Sequence, residues 1–579
     1  LSEVFYRLLF DCPAPQRVIA CGAELEPYGR PGPSGYELVA VFDSHPRIGS
    51  LEINDQLAEE AFTVYDHPKV LIFQKSEQFD PVQLAEELDV DLANVKNVPP
   101  AQIPRRIKTL ELPEGLQNVQ RESSTWSDLF NRGALLNRSG FLAAVSWWLL
   151  ISLLGWSMVP ALYFLMPGLR DRGYGFTRIL GLIVLAWLAW MAGNLGVAVT
   201  RGTLSLLLLI MAASAALILI RSRALRNHIR NNWKQILTAE ALALFSFLVF
   251  LAIRIGNPDL WHPAKGGEKP MNFAYLNAVL KSVEFPPYNP WFAGGTINYY
   301  YFGYVIVGMP LKLLGVVPSV GYNLIIPTLF SISALGVFSL ASNLVYKRRK
   351  PSWRTSATAG LAAVLLFLVL GNLGNARLLY RGFKQLGGGT QENSGLVSGF
   401  SSAAQGVAAY VSTDEPLPIA MDRWYWDASR AVAPGEGEAG PITEFPLFTF
   451  LYGDLHAHMI NLPVTILTLG WALSWIVSWK RDRWNQKYLL VPLILLWGLS
   501  LGAIRPTNTW DYPLYWLISA IAVAGSAWMR YRSERWKFVL ESAVGIILLL
   551  GTARISFYFY DMWYVAGYTS AQLWRGSHT

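Results

Sequence analysis

Long apolar segments alternate with short polar ones along most of this chain, beginning at Phe141. Each apolar segment has about 20 residues, the length that an α-helix needs to cross the hydrocarbon core of a bilayer. The pattern predicts a mainly α, polytopic transmembrane helical bundle with about ten spans. The predicted spans are residues 140–166, 177–198, 203–221, 235–254, 323–346, 357–379, 457–479, 488–505, 512–529 and 537–556.

Clusters of Lys and Arg between the predicted spans indicate their orientation, because short cytoplasmic loops are enriched in these residues. The clusters lie in residues 221–234, 347–354, 480–487 and 530–537, with a weaker one in 170–178. They share one side of the membrane only if the apolar segment 299–317 does not cross. We therefore predict a helix there that lies at, or dips into, the outer face.

This topology places every chemically interesting segment on the extracytoplasmic side. The segments are the loops 255–322 and 380–456, the turn at 505–511 and the N-terminal region. Residues 380–440 are rich in Gly, Ser and Ala, which predicts a partly flexible stretch. A long loop over a membrane site is often a lid, and a disordered insertion is an equal alternative.

The N-terminal region, residues 1–125, lacks a span and is predicted to be a small extracytoplasmic α/β domain. Strands are predicted at Tyr36–Phe42 and Val70–Gln74, and a helix from Pro81. Cys12 and Cys21 can form a disulfide in an oxidising compartment, and two unpaired thiols fit the spacing equally well. Because the chain begins at Leu1 and not at Met, we expect a fragment of a larger protein.

The remaining chain is predicted to form two regions. Residues 126–234 hold three transmembrane helices and a basic cytoplasmic loop, and residues 235–579 hold the other spans with the outer loops. The composition agrees with a membrane protein. In this chain 53% of residues are hydrophobic and only 15% are charged, whereas roughly 25% of residues are charged in soluble domains. The net charge of +8 does not indicate nucleic acid binding, because most Lys and Arg lie between spans. A Walker motif is absent, and no G-x-G-x-x-G or G-x-S-x-G motif follows a predicted strand, which argues against ATPases, dinucleotide-binding enzymes and serine hydrolases.

The first candidate site is the loop after the fourth predicted span. It contains Asp259, His262, Glu268 and Lys269. A carboxylate beside a membrane helix can act as a general base toward an acceptor hydroxyl, so Asp259 and Glu268 are candidate catalytic residues. His262 and Lys269 are candidate substrate-binding residues, since a cation pairs with phosphate. The structural alternative is an aspartate that satisfies backbone donors in a turn, followed by a solvated Glu–Lys pair.

The second candidate site is the acidic and histidine-containing stretch from Glu444 to His458. If it is extended, Asp454, His456 and His458 share a face and can ligate a divalent cation, Mn²⁺ or Mg²⁺. If it is helical, only Asp454 and His458 share a face. Polar residues at the end of a membrane span carry a desolvation cost and are usually retained for a function. Metal, phosphate and acceptor binding all remain open for this stretch.

Two further groups are predicted to bind substrate on the outer face. Arg505, Asn508 and Asp511 can hold a phosphate, and the alternative is a capped helical hairpin with an Arg505–Asp511 pair. Arg430 follows an aromatic stretch that includes Trp424 and Trp426. Tryptophan faces stack on sugars and Arg binds phosphate, whereas the alternative is an aromatic anchor in the membrane interface.

The triple tyrosine Tyr299, Tyr300 and Tyr301 is the most informative string in the chain. It is typical of an aromatic belt where a span meets water, and its polar context adds a candidate substrate-binding role. Together with the strings Gly267–Met271, Phe285–Gly294 and Gly453–His458, it resembles the Chlor_Arch_YYY family of large prokaryotic membrane proteins, over roughly Ile236 to the C-terminus.

The layout of that family looks like the GT-C glycosyltransferases, which move a sugar from a polyprenyl-phosphate carrier on the outer membrane face. GT-C enzymes have an outer loop with an essential acid, then an interfacial helix and a return span. The loop with Asp259 and Glu268, the 299–317 segment and the 323–346 span have this order. The resemblance implies a GT-C-like domain over 235–579, with residues 1–125 as the tail of a preceding unit.

The function implied is transfer of a sugar from a polyprenyl-phosphate carrier to an acceptor on the extracytoplasmic face of a prokaryotic cell membrane. The partners implied are the lipid-linked sugar and membrane lipid, with no nucleic acid. One alternative is a transporter or flippase of lipid-linked precursors, which should carry ionisable residues near the bilayer midplane. The predicted span centres are nearly free of charge, which favours an enzyme. The other alternative is a noncatalytic envelope assembly scaffold. It is consistent with Asn272, which occupies a position where the family is expected to carry an acid.

Overall fold

A computed structural model of the protein describes most of the chain, and the structural statements below concern the described residues. These are residues 2–13, 18, 21–22, 25–27, 29–43, 47–48, 51–52, 69–89, 111–122, 126–260, 267–292, 294–346, 353–371, 373–389, 395–413, 416–419, 427–432, 442–480 and 487–564. The chain divides into two compact units, Leu1–Thr109 with Trp261–Gly267, and Leu110–Leu260 with Glu268–Thr579.

The first unit contains an antiparallel pair of strands, Tyr36–Phe42 and Val70–Lys75, with Tyr36 opposite Lys75 and Phe42 opposite Val70. A shorter ladder joins Arg47–Ile48 to Leu51–Glu52. The helices are Ser2–Leu9 and Pro81–Glu87. Both predicted strands and the helix at Pro81 are confirmed.

Local chemistry explains the start of the helix Pro81–Glu87. The Asp80 side chain accepts hydrogen bonds from the backbone N–H groups of Val82 and Gln83, and proline is favoured in a first helical turn. The same unit contains a disulfide between Cys12 and Cys21, with their Cα atoms 5.9 Å apart. Of the two possibilities left open by the spacing, the structure therefore has the paired cysteines.

Within the described part of the chain, ten helices of the second unit are long and apolar enough to cross a membrane. This number confirms the predicted polytopic helical architecture. The helices are Gly140–Leu165, Tyr174–Asn194, Arg201–Arg221, Trp233–Gly256, Pro318–Val345, Trp353–Leu370, Ala457–Trp479, Leu490–Thr507, Tyr512–Arg530 and Arg535–Ser556. Shorter helices are Glu114–Glu122, Trp126–Leu129, Leu135–Arg138, Arg223–Asn231, Lys269–Lys281, Phe302–Leu314, Gly374–Leu386, Leu396–Thr413, Pro446–Tyr452 and Tyr558–Trp563.

The predicted span 357–379 is wrong at its C-terminal end. The spanning helix ends at Leu370, where its last turns are π-helical, and the backbone then reverses through Gly371 and Leu373, which have φ angles of 51° and 60°. Positive φ angles at these positions do not continue a right-handed helix. The separate helix Gly374–Leu386 follows.

Close helix packing explains why small residues are frequent in the first part of the long loop 380–456. The helices Gly374–Leu386 and Leu396–Thr413 lie against each other, and a Cβ atom at Gly406 would overlap the carbonyl oxygen of Phe383. Small residues allow such close helix contact. The described part of residues 380–440 thus includes helical structure, and the prediction of partial flexibility stays a prediction. Residues 420–426 and 433–441 lie outside the described residues.

The segment after the triple tyrosine forms the helix Phe302–Leu314. Its 13 residues span about 20 Å, too short for a hydrocarbon core of about 30 Å. Residues Phe302 to Lys312 are all buried, with Gly308 facing Leu276 and Leu280 of the helix Lys269–Lys281. The helix is thus too short to cross and is enclosed by protein, which agrees with the prediction that it does not span the membrane. Its position at the outer face stays a prediction.

Candidate functional site

Two carboxylates and two imidazoles form a continuous row of close polar contacts in the second unit. The His456 Nε2 atom lies 2.7 Å from Glu268 Oε2, and the Nδ1 atoms of His456 and His458 lie 2.9 Å apart. The His458 Nε2 atom lies 2.7 Å from Glu444 Oε2, which also accepts a 2.7 Å hydrogen bond from the Thr449 hydroxyl. The order of the groups along this row is Glu268–His456–His458–Glu444.

A protonated His456 fits the contacts of the pair. Its Nε2–H can donate to Glu268, and its Nδ1–H can donate to His458 Nδ1. This assignment of the hydrogens places one positive charge on the pair. The pair is flanked by the two negative charges of Glu268 and Glu444, which stabilise it.

A second ion pair lies directly beside this chain. The Lys269 Nζ atom is 3.3 Å from Asp454 Oδ1, and Asp454 Oδ2 accepts a 2.8 Å hydrogen bond from the backbone N–H of Glu268. The Lys269 ammonium also lies 4.6 Å from the centre of the Tyr452 ring. The lysine and aspartate side chains are only 9% and 13% exposed, whereas the Glu268 side chain is 54% exposed. Glu268 is thus the carboxylate of this cluster that a substrate can reach most easily.

Local backbone structure brings the polar residues of the two segments together. Gly453 has a φ angle of 73° and ends the helix Pro446–Tyr452 in the left-handed conformation that favours glycine. The buried Tyr322 hydroxyl donates to the Gly453 carbonyl at 3.2 Å and accepts from the Leu455 N–H at 2.7 Å. The turn that presents Asp454 and His456 is therefore held from both sides.

The electrostatics of the cluster favour a charged Glu268 and a charged His456. The hydrogen bond from His456 lowers the pKa of Glu268 below its usual value. Burial by itself lowers the pKa of His456, but the hydrogen bond to Glu268 and the charge of that residue outweigh it and raise the pKa. Burial raises the pKa of Asp454 and lowers that of Lys269, and their mutual attraction opposes both changes.

The triple tyrosine connects this cluster to a second polar group. The Tyr299 hydroxyl lies 3.0 Å from His456 Nε2, and its ring stacks on Tyr275 at 5.4 Å. The rings of Tyr300 and Tyr564 are 6.3 Å apart. Tyr301 is 1% exposed and its hydroxyl accepts a hydrogen bond from Trp190 Nε1 at 3.1 Å. Tyr299 therefore borders the site, and Tyr301 packs in the core.

The second polar group contains the predicted residues Arg505, Asn508 and Asp511. Arg505 forms an ion pair with Asp561, which also lies 2.9 Å from Arg554 Nε. Asp511 instead accepts hydrogen bonds from Asn508 and Asn461 at 2.9 and 2.7 Å. The alternative of an Arg505–Asp511 pair is therefore wrong. Sequence reasoning did not single out Asp561 or Arg554, because the Arg505–Asp561 pair joins two separate helices.

Among the described residues, no contact joins Asp259 to the Glu268–His456 pair. The backbone carbonyl of Asp259 accepts a 3.0 Å hydrogen bond from Arg254, and its side chain is exposed. Arg430 Nη1 donates to the Ser429 hydroxyl at 2.7 Å. His262, Trp424 and Trp426 lie outside the described residues.

The arrangement does not suit the predicted metal set. The imidazole nitrogens of His456 and His458 face each other or a carboxylate, and both oxygens of Asp454 face donors of Lys269 and Glu268. Among the residues that the structure describes, no group of three or more His, Cys, Asp or Glu is placed to hold a metal ion. The divalent-cation requirement stays a prediction, and none of the chemistry below depends on it.

Glu444 is the main functional candidate to which sequence reasoning assigned no role. It was part of an informative string, but only the fold shows that it binds His458. The signal that could have indicated it is a carboxylate shortly before two closely spaced histidines, since a histidine at a catalytic site is commonly oriented by a carboxylate.

The Glu268–His456 pair predicts a pH window for stability. The contribution of Glu268 to the free energy of unfolding is present above its unfolded pKa of about 4.3. It is lost as pH falls through the lowered pKa of the folded state. The contribution of His456 to the free energy of unfolding is fully present below its unfolded pKa of about 6.5. It is lost as pH rises through the raised pKa of the folded state. We therefore expect His456→Asn to lower the apparent Tm most near pH 5 to 6 and less at pH 8 and above, as measured by differential scanning fluorimetry in detergent. In a Glu268→Gln background this pH dependence should largely disappear, and its persistence would contradict the pairing.

Comparison with known proteins yields one match. A family model described as an uncharacterized membrane protein (DUF2298) matches residues 184–579. No curated protein and no solved structure matches the chain at a significant level.

Proposed function

The chain belongs to the DUF2298 family of uncharacterized membrane proteins, and we propose that this member is a GT-C-type membrane glycosyltransferase. It transfers a sugar from a polyprenyl-phosphate carrier to an acceptor hydroxyl on the extracytoplasmic face. The observation that carries the proposal is the half-exposed Glu268, hydrogen-bonded to a histidine pair that ends on a second carboxylate. This is the arrangement expected of a general base with a route for the proton it removes.

The proposed reaction begins with the acceptor hydroxyl beside Glu268. The Glu268 carboxylate takes the hydroxyl proton while the acceptor oxygen forms a bond to the anomeric carbon of the sugar. The bond from that carbon to the phosphate oxygen breaks, and the polyprenyl phosphate leaves with the bonding electrons. Protonation of Glu268 removes the charge that stabilised the His456–His458 cation, so the histidine pair can release its proton toward Glu444 or solvent.

Of the two predicted catalytic carboxylates, Glu268 is the better base candidate. The Asp259 side chain is exposed and its described hydrogen bond runs through its backbone carbonyl. Asp454 is mostly buried and engaged by Lys269 and the Glu268 N–H. Within the part of the chain that the structure describes, neither contacts a histidine as Glu268 does, so Glu268 is the carboxylate of the three that combines access with a proton route.

The leaving phosphate has a candidate binding position at Arg505 and Arg554. These two cations share the single carboxylate of Asp561, which leaves one net positive charge, and Arg554 is 61% exposed. The Tyr560 hydroxyl lies 3.4 Å from the Tyr299 carbonyl oxygen, which connects this position to the tyrosine that borders His456. Arginine binds phosphate oxygens through paired N–H donors.

The test is release of sugar from a lipid carrier by the purified chain in lipid nanodiscs. A panel of radiolabelled polyprenyl-phosphate hexoses and pentoses is incubated with the protein and with envelope extract as acceptor, with EDTA or with added Mn²⁺ or Mg²⁺. We expect release and transfer from at least one donor. The dependence on EDTA tests the metal prediction separately.

A matched preparation with Glu268→Gln serves as the control for contaminating transferases. Release that is equal in the two preparations, or absent with every donor despite a folded protein, would reject the proposal. The second result would favour a transporter or an assembly scaffold, and uptake of a fluorescent lipid-linked sugar into vesicles would distinguish these two.

A further inference from the structure

A pair of helices beside the membrane has surface features that the proposed reaction does not use. The helices are Gly374–Leu386 and Leu396–Thr413, called here the 374–413 helix pair. They lie in the chain between the membrane-spanning helices Trp353–Leu370 and Ala457–Trp479, and neither is among the ten candidate spans. Only residues 371–373 separate the first of them from the preceding span, so the pair is tethered next to the bilayer.

The helix Leu396–Thr413 has three distinct faces. Residues three and four apart share a face of a helix. One face, which includes Ala403 and Gly406, is buried against the helix Gly374–Leu386. The second is exposed and apolar, with Val397, Phe400, Val407 and Val411 at 85%, 65%, 44% and 80% exposure. The third is exposed and polar, with Ser398, Ser401, Gln405 and Ser412.

The helix Gly374–Leu386 carries a row of cations. Arg377, Arg381 and Lys384 follow one another at spacings of four and three residues and line, with Tyr380, an open groove of about 680 Å³. Neither helix of the pair contains Asp or Glu. Within the two helices the surface charge is therefore positive, which favours an anionic partner.

The apolar face and the basic row belong to one continuous surface. The ring of Tyr380, which lines the basic groove, lies 5.5 Å from the ring of Phe400 on the apolar face. An apolar helix face next to a row of Lys and Arg is the pattern of helices that lie in the interface of an anionic membrane. A soluble acidic protein would match the cations but not the exposed valine and phenylalanine side chains.

We propose that the 374–413 helix pair lies on an anionic lipid surface. The side chains of Val397, Phe400, Val407 and Val411 insert among the acyl chains next to the headgroups. Arg377, Arg381 and Lys384 bind the phosphates of the lipid headgroups. The polar face with Ser398, Gln405 and Ser412 stays in water. This role is independent of the proposed transferase reaction.

The test is a comparison of two neighbouring label positions, one on each of the two exposed faces. The two cysteines of the chain form a disulfide, so a single introduced cysteine can be labelled with the environment-sensitive fluorophore NBD under non-reducing conditions. The whole chain is reconstituted with Val411→Cys or with Ser412→Cys. The vesicles contain phosphatidylcholine with or without phosphatidylglycerol, and a fraction of the lipid has a nitroxide on the acyl chain.

We expect the nitroxide lipid to quench the label at Val411→Cys about threefold or more strongly than the label at Ser412→Cys in anionic vesicles. Aqueous iodide should show the opposite order. The combined change Arg377→Glu, Arg381→Glu and Lys384→Glu should lower quenching at Val411→Cys toward its value in pure phosphatidylcholine, and inorganic phosphate should have no effect. Reconstitution yield and circular dichroism show that the charge-reversed protein is folded.

Three results would overturn the proposal. Equal quenching at the two positions would mean that the apolar face does not enter lipid. Shielding of Val411→Cys from both lipid nitroxide and iodide would identify a protein as its cover. Quenching that is unaffected by phosphatidylglycerol and by charge reversal would mean that the basic row does not bind lipid phosphate.

Discussion

Replacement of Glu268 by glutamine is expected to lower the rate of sugar transfer by about 10²- to 10⁴-fold, the range typical of a lost general base. Glutamine keeps the shape of the side chain and can still hydrogen bond to His456, but it cannot accept a proton from the acceptor. The measurement is the initial rate of transfer at saturating lipid-linked sugar, with the donor identified by the release assay.

The matched control for this substitution is Asp259→Asn, which removes the other predicted catalytic carboxylate. Because the Asp259 side chain is exposed and does not contact the histidine pair, we expect its loss to change the rate by less than about tenfold. Glu444→Gln should have an intermediate effect, since it weakens the far end of the proton route and leaves the base in place. A normal rate in Glu268→Gln with a strong loss in Asp259→Asn would transfer the base role to Asp259.

The second large effect is expected at Lys269→Met, which should destabilise the protein by about 3–5 kcal/mol. Methionine occupies similar space, but it leaves the mostly buried Asp454 carboxylate without its cation. The remaining backbone N–H of Glu268 cannot balance a full charge in a poorly hydrated position. Thermal unfolding in detergent, followed by tryptophan fluorescence at one fixed scan rate, measures the loss.

A double substitution separates the unpaired charge from lost packing. Lys269→Met combined with Asp454→Asn removes both charges and keeps an acceptor for the Glu268 N–H, so most of the lost stability should return. Lys537→Met is the control, because its partner Glu534 and Lys537 itself are 45% and 40% exposed, and exposed pairs contribute little. If the double variant is as unstable as Lys269→Met alone, the buried ion pair is not the cause.

Much of the candidate site could be located from the sequence as a set of segments. Each segment stands out locally: Asp259 to Lys269 follows a span, His456 and His458 begin one, and Tyr299 to Tyr301 precede a short apolar helix. The positive-inside pattern placed all of them on one side. The contacts of Glu268, Tyr299 and His456 in the structure agree with that grouping.

The roles of individual residues could not be predicted in the same way. Glu268 and Asp259 are equivalent by residue type and by position in the loop, and only the contact with His456 distinguishes them. Likewise Arg505 has Asp511 nearby in the chain, but its partner is Asp561 on another helix. Pair formation depends on how helices pack, which residue type and local spacing do not encode.

The sequence by itself determined the membrane-spanning helices and the two longer strands of the first unit, because each depends on hydrophobic periodicity within one short segment. Tertiary structure alone decided which polar groups meet. The Glu268 N–H binds Asp454, which is 186 positions away, and the helix Phe302–Leu314 is enclosed by protein although its composition equally suits a lipid surface. These outcomes depend on desolvation: a buried charge must find a partner, and the partner is whichever group the packed helices bring within reach.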